Sequence, residues 1–139
     1  MVGGLTYLVD TNVWLELLLA QENADSVRRF LRKVPGSSIA LSEFTLYSIA
    51  IILIRLHKDR DLADFLADTV EGGDVARICL DTDGFRKAMS ACRSLKLDFD
   101  DSYQYVVAEK HDLVIVSFDK DFDRTPRGRK TPAQVIEGS

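Results

Sequence analysis

Three aspartates stand where an apolar run stops or a helix begins. Tyr7-Leu8-Val9 runs into Asp10, Leu113 to Phe118 runs into Asp119, and Asp101 opens a helix-patterned stretch that also carries Asp98 and Asp100. In open parallel sheets, chemistry collects beyond the carboxyl ends of the strands. Carboxylates gathered there within about 5 Å of one another repel by roughly 3 kcal/mol per pair at an effective dielectric near 20. Either a proton is retained or a divalent cation sits among them. No histidine or cysteine accompanies the acids: His57 falls in a charged turn and His111 at a helix end. An all-oxygen donor set favours Mg²⁺ or Mn²⁺ over Zn²⁺. Such an ion suits hydrolysis of a phosphodiester, because it positions a water and stabilises the charge that builds on phosphate. No GxSxG, P-loop or GxGxxG pattern points to other chemistry. A structural explanation also exists for the Asp98–Asp101 cluster, since acids are favoured at a helix N-terminus by its dipole.

The elements that position these acids alternate along the chain. Residues 7–9 read as a strand buried on both faces, and Val13, Trp14, Leu17 and Leu18 recur at helical spacing after it. A second helix over Ala24 to Val34 has an apolar stripe of Val27, Phe30, Leu31 and Val34, which leaves Arg28, Arg29, Arg32 and Lys33 on its solvated side. Ser38 to Leu41 reads as a second strand, and Ser42 caps a helix from Glu43 to about Leu56 that is apolar nearly all round and is expected to be sandwiched. A short helix over Leu62 to Val70 precedes a third strand, Val75 to Leu80. Asp81 and Asp83 then cap a helix whose apolar stripe is Phe85, Met89, Cys92 and Leu95. After the helix ending near His111, the strongest strand of the chain is Leu113 to Phe118. Asp121 and Asp123 follow Asp119, then a basic loop with Arg124, Arg127, Arg129 and Lys130, and Ala133 to Ile136 reads as a short edge strand. Strands alternating with helices imply an α/β fold with a central parallel sheet of four to five strands and helices on both faces.

Length and composition agree with one such domain over residues 1–139, its core spanning about 5–136. The chain has 139 residues, 46% of them hydrophobic and 29% charged, with a net charge of −4. At that size folding buries roughly two-thirds of the unfolded chain's surface, enough for a core without staples. The negative charge argues against wrapping nucleic acid over the whole surface, but an acidic pocket holding divalent cations still presents positive charge to a polyanion. Met1 to Gly4 lacks the basic region of a signal peptide, and the apolar run Ile49 to Ile54 is too short to span a bilayer. Cys79 and Cys92 read as small core residues of a reducing cytosol. The expectation is a cytoplasmic protein with no membrane partner.

Taken in order, Leu8-Val9-Asp10-Thr11-Asn12, then Phe99-Asp100-Asp101-Ser102 with Ala108 further along its helix, then Val116-Ser117-Phe118-Asp119-Lys120-Asp121-Phe122 resemble the motifs of the PIN-domain nucleases, most closely the small single-domain VapC toxin type. The resemblance implies a three-layer α/β/α sandwich in which the Asp10 and Asp119 strands lie side by side at the sheet centre and the third strand lies at an edge. It implies that Asp10, Asp101 and Asp119 converge on a Mg²⁺ or Mn²⁺ ion, with Asn12 and Ser117 orienting ligands or water and Asp121 near the shell. It implies an RNA substrate, a homodimer and an antitoxin partner.

The chain departs from the family at one acid. PIN domains usually carry a Glu in a segment resembling Ser-x-x-Thr-Leu-x-Glu, and here Ser42-Glu43-Phe44-Thr45-Leu46-Tyr47-Ser48 puts Ser48 at that position. Glu43 is the nearest candidate to replace it, although five residues at about 100° each set it roughly 140° around the helix from Ser48. Two readings stand for the basic loop: Arg124, Arg127, Arg129 and Lys130 either border the pocket and contact RNA phosphates or form a solvated loop.

The leading functional expectation is a Mg²⁺- or Mn²⁺-dependent endoribonuclease, the toxin of a toxin–antitoxin pair or a related RNA-processing enzyme. The alternative is a degenerate PIN domain that binds RNA or protein with weak or no nuclease activity. A phospho-acceptor receiver domain is disfavoured, because only Asp10 stands at the end of the first strand where that family has an acid pair.

Overall fold

The computed structural model describes residues 4–138. Met1 to Gly3, part of the segment read above for a leader, lie outside the described residues. Four strands, β1 (Tyr7–Val9), β2 (Ile39–Ser42), β3 (Ala76–Ile78) and β4 (Val114–Val116), form one sheet in the order β3-β2-β1-β4, with each neighbouring pair parallel. Among the described residues seven α-helices surround it: α1 (Thr11–Leu18), α2 (Ala24–Lys33), α3 (Glu43–Arg55), α4 (Asp59–Phe65), α5 (Thr82–Ser94), α6 (Phe99–His111) and α7 (Pro132–Glu137).

The short strands alternate between two cores, as a period of two demands. Val9 and Val116 face a cluster containing Trp14, Phe30, Ile49 and Phe65. Leu8 and Ile115 face the opposite cluster, with Tyr103, Val107 and Phe122. Both faces are therefore covered, which gives the three-layer α/β/α sandwich. The order reverses at β1: β2 follows it on one side and β4 flanks it on the other, so a crevice opens at the carboxyl ends of β1 and β4. Asp10 and Asp119 sit at that crevice.

Five expectations from the sequence are corrected. β4 adjoins β1 but is the end strand of the sheet, extended only by an isolated parallel bridge between Val116 and Lys130. Residues 133–136 are helical, within α7, because Pro132 stands in its first turn and Thr131 and Gln134 close a capping box. α3 is not sandwiched: Tyr47, Ile51 and Ile54 are 60%, 51% and 53% exposed on one stripe. The buried helix is α6, whose residues from Asp101 to Ala108 are all buried between the sheet and α5. On α5 the inward positions are Gly84, Ala88 and Ala91, with Ala88 and Ala91 against Val106 of α6, while Met89 faces outward and the half-exposed Phe85 rests its ring on Phe99 of α6. Cys79 is exposed and Cys92 only partly covered, so neither is a core residue. Among the described residues no helix is long and apolar enough to cross a membrane.

Candidate active site

Asp10 leaves β1 in an extended conformation and caps α1, with Oδ1 accepting the Thr11 amide at 2.8 Å. Its own N–H continues the ladder onto β4 by donating to the Val116 carbonyl at 2.9 Å. The Trp14 indole donates to the Val9 carbonyl at 3.2 Å, pinning α1 to the strand end just before the acid. The carboxylate is 6% exposed and is ringed by donors. Besides Thr11, Oδ1 accepts from Gln104 Nε2 at 2.9 Å, and Oδ2 accepts from the Ser117 hydroxyl at 2.7 Å and, at a longer 3.4 Å, from Asn12 Nδ2.

Ser117 and Asn12 tie this carboxylate to the end of β4. Asn12 donates to Ser117 Oγ at 3.2 Å and accepts the Phe118 amide at 3.1 Å, while Ser117 Oγ accepts the Asp119 amide at 2.9 Å. Asp119 in turn accepts the Asp121 amide at 2.8 Å, which opens the 3-10 turn at Lys120–Arg124. Asp101 comes from the buried face of α6, 7% exposed, in the first turn of the helix. Asp98 occupies the N-cap position there but makes no side-chain cap bond. At the start of α5, by contrast, Asp81 does cap, accepting the Gly84 amide, and Asp83 pairs with Arg86 instead.

The acids thus meet in a cleft of about 330 Å³ bordered by Asp10, Asp101, Asp119, Asn12 and Ser48. Carboxylate oxygens of Asp101, Asp119 and Asp121 lie within 4.8 Å of one another, and so do those of Asp98, Asp100 and Asp101. Asp101 belongs to both groups. Asp10 stands behind them, close enough for its charge to be felt. Burial raises the Asp101 carboxyl to about 8, helped by the charges of Asp100, Asp119 and Asp10. Burial also raises Asp10, against the opposing pull of its bonds from Gln104, Ser117 and Thr11. An all-oxygen group that keeps a proton near neutrality for want of positive charge fits a hard divalent cation. Asp10, Asp101 and Asp119, which all line the cleft, would hold it, with Asp121 adjacent.

Glu43 does not join them. It forms a bidentate ion pair with Arg77 of β3, 2.9 Å for each contact, and does not border the cleft. Its place in the first turn of α3 faces the β3 edge, as the 140° offset from Ser48 requires. Ser48 lines the cleft and leaves it without a carboxylate from α3. Glu43→Gln is accordingly expected to leave Mn²⁺ affinity unchanged in a calorimetric titration.

The basic loop is also reassigned. Arg124 pairs with Asp121 at 2.9 Å and donates to the Lys96 carbonyl at 2.7 Å. Arg127 pairs with Asp112, and Arg129 grips Asp123 while donating to the Ser117 carbonyl at 3.1 Å. Lys130 contributes its backbone, bonded to Ile115 and Ser117. None of the four borders the cleft. The loop is a brace behind the Asp119 strand end.

Sequence reasoning missed Gln104. It lies three residues after Asp101, hence on the same face of α6, and that spacing was the available signal.

The sequence model for the PIN domain matches residues 7–128. The chain belongs to the PIN domain family. Its fold is that of PIN proteins of known structure. A toxin–antitoxin complex from Klebsiella pneumoniae superposes with a TM-score of 0.73 at 21% identity, covering 91% of this chain and 98% of that one. VapC20 of Mycobacterium tuberculosis, described as a sarcin–ricin loop cleaving toxin, gives 0.72 at 21% identity over 85% and 93%. FitAcB from Neisseria gonorrhoeae gives 0.71 at 20% identity over 91% and 98%. No curated protein matches the chain at the level of sequence. Within this PIN domain, Asp10 directly follows β1, Asp119 lies three residues past the end of the adjacent β4, and Asp101 faces them from α6.

Proposed function

We propose that this PIN domain is a Mg²⁺- or Mn²⁺-dependent endoribonuclease and the toxin of a toxin–antitoxin pair. The observation that carries the proposal is the convergence of Asp101, Asp119 and Asp121 within 4.8 Å, with Asp101 and Asp119 lining one cleft with Asp10, at the switch point of the sheet. A divalent cation bound there supplies electrostatic stabilisation of the charge that builds on a phosphate under attack. The chain's own residues do the positioning. Asn12 and Ser117 hold Asp10 against the Asp119 strand end, and the Asp119 carboxylate is fixed by the Asp121 amide. Burial and the neighbouring carboxylates favour the protonated form of Asp101 in the ion-free protein, and its ionised carboxylate would be a ligand to the cation.

Partners follow from the same reading. RNA is the substrate class, and the chain acts in the cytoplasm. The exposed stripe of Tyr47, Ile51 and Ile54 on α3 supports contact with a second copy of the chain or with an antitoxin.

The test is cleavage of single-stranded RNA with Mn²⁺ by the wild type and by Asp10→Asn. The wild type is expected to cut and the variant to lose the activity; equal rates, or no cutting across a broad set of RNAs, overturn the proposal. Ser48 in the cleft favours one alternative, a non-catalytic binding module. Absence of saturable Mn²⁺ binding at millimolar concentrations selects that alternative.

A further inference from the structure

Gln104 is only 2% exposed, and its amide is used unevenly. Nε2 donates to Asp10 Oδ1 at 2.9 Å and to Thr45 Oγ1 at 2.7 Å, whereas Oε1 is buried with no partner among the described residues. A buried carbonyl oxygen without a donor weakens a fold, and a Leu or Met would fill the same space without that cost. Filling space therefore does not explain an amide here. What the amide provides is two N–H groups aimed at two fixed acceptors. Its orientation is set by the network, because the flipped form would turn Oε1 onto the Asp10 carboxylate.

Thr45 is a rigid anchor for this contact. It is fully buried, its amide donates to the Ser42 hydroxyl at 3.1 Å, and its hydroxyl lies 2.9 Å from that of Thr11. Gln104 thus ties α6, which carries Asp101, to the first turn of α3 and to the end of β1. Without it, Oδ1 of Asp10 would keep only the amide of the adjacent Thr11. α3 lacks a carboxylate at Ser48, and this bridge is its link to the acids.

We infer that Gln104, braced by Thr45, is a positioning residue that fixes the Asp10 carboxylate for a divalent cation. The inference rests on the metal-dependent reading of the cleft. Outer residues of this kind commonly alter metal affinity by about 10–100-fold.

The experiment is calorimetric titration of Mn²⁺ into the full chain as wild type, Gln104→Met, Thr45→Val and Asp10→Asn, each first melted in EDTA to establish that it folds. Gln104→Met is expected to bind Mn²⁺ at least about tenfold more weakly, and Thr45→Val to shift affinity in the same direction by less. If both bind like the wild type while Asp10→Asn has lost binding, the role of Gln104 is overturned and the metal reading stands. If Asp10→Asn also binds like the wild type, the metal reading falls and the inference falls with it. Should Gln104→Met fail to melt cooperatively, Thr45→Val decides: unchanged affinity overturns the role. A structural role alone would lower the melting temperature in EDTA and leave Mn²⁺ affinity in the folded protein untouched.

Discussion

In EDTA at pH 8, Asp101→Asn is expected to melt at a higher temperature than the wild type, and with Mn²⁺ at the same pH to cleave RNA between about a hundredfold and a thousandfold more slowly. The loss of rate is the size seen when a group that stabilises developing charge is removed from an enclosed site. The gain in stability has a separate cause. Asp101 is buried on α6, facing Asp119 and Asp10 with Asp100 beside it, and its carboxyl is raised to about 8. Half of these carboxyls are ionised at that pH, in a place that resists the charge. Asn keeps the shape of the neutral acid and removes the repulsion. The gain should be about 2 kcal/mol once water reaching the cluster is allowed for, or several degrees in melting temperature. Equal melting temperatures in EDTA would mean that Asp101 is not held against its neighbours in this way. Carboxylates gathered this closely are poorly matched to one another without a compensating cation.

The second large effect is the dependence of stability on pH. In the unfolded chain Asp101 titrates near its ordinary 3.8, and in the folded ion-free protein near 8. Between those values the folded state binds more protons than the unfolded state, so stability falls as pH rises across that window and is flat outside it. Asp10 is shifted in the same direction by its burial and adds to the decline. Urea unfolding in EDTA from pH 4 to pH 9 should follow this fall, again about 2 kcal/mol in size. Saturating Mn²⁺ removes it, because the folded state no longer takes up the proton when the ion compensates the charge. Asp101→Asn flattens most of it without metal. A wild-type curve that rises with pH in EDTA would contradict the burial and the crowding of this cluster.

Much of the fold and part of the site were legible in the sequence, and the division has a physical basis. Strand and helix signals are local. Tyr7-Leu8-Val9 and Val114-Ile115-Val116 are apolar runs because both faces of each strand are buried, and the abrupt change to Asp10 and beyond Val116 marks where each strand leaves the sheet. Asp101 was legible because a helix must start after Leu97 and presents a buried face every third or fourth residue. The error at residues 133–136 was also local. A short apolar run does not by itself separate strand from helix, and the deciding signal was Thr131, Pro132 and Gln134 just before and within it. The stripe of Phe85 and Met89 misled for a different reason. Hydrophobic spacing marks a helix, but α5 turns Ala88 and Ala91 to α6 where the helices approach closely, which leaves Met89 outside and Phe85 half-exposed against Phe99.

The sequence alone determined that acids end two strands and begin one helix, and that the position usually held by a fourth acid is Ser48. Only the tertiary structure decided which partner each side chain takes. Glu43 carries the right charge for the cleft, yet Arg77 on β3 stands on its side of the helix and holds it. Arg124, Arg127 and Arg129 look like phosphate contacts in a one-dimensional chain, but Asp121, Asp112 and Asp123 are nearer. Gln104 is an ordinary polar residue in the sequence and becomes the contact between Asp10 and Thr45, 94 and 59 residues away, only when three elements pack. Capping, periodicity and strand ends depend on neighbours along the chain; the pairing of charges and amides depends on what the adjacent strand or helix brings within about 3 Å, and no local pattern encodes that.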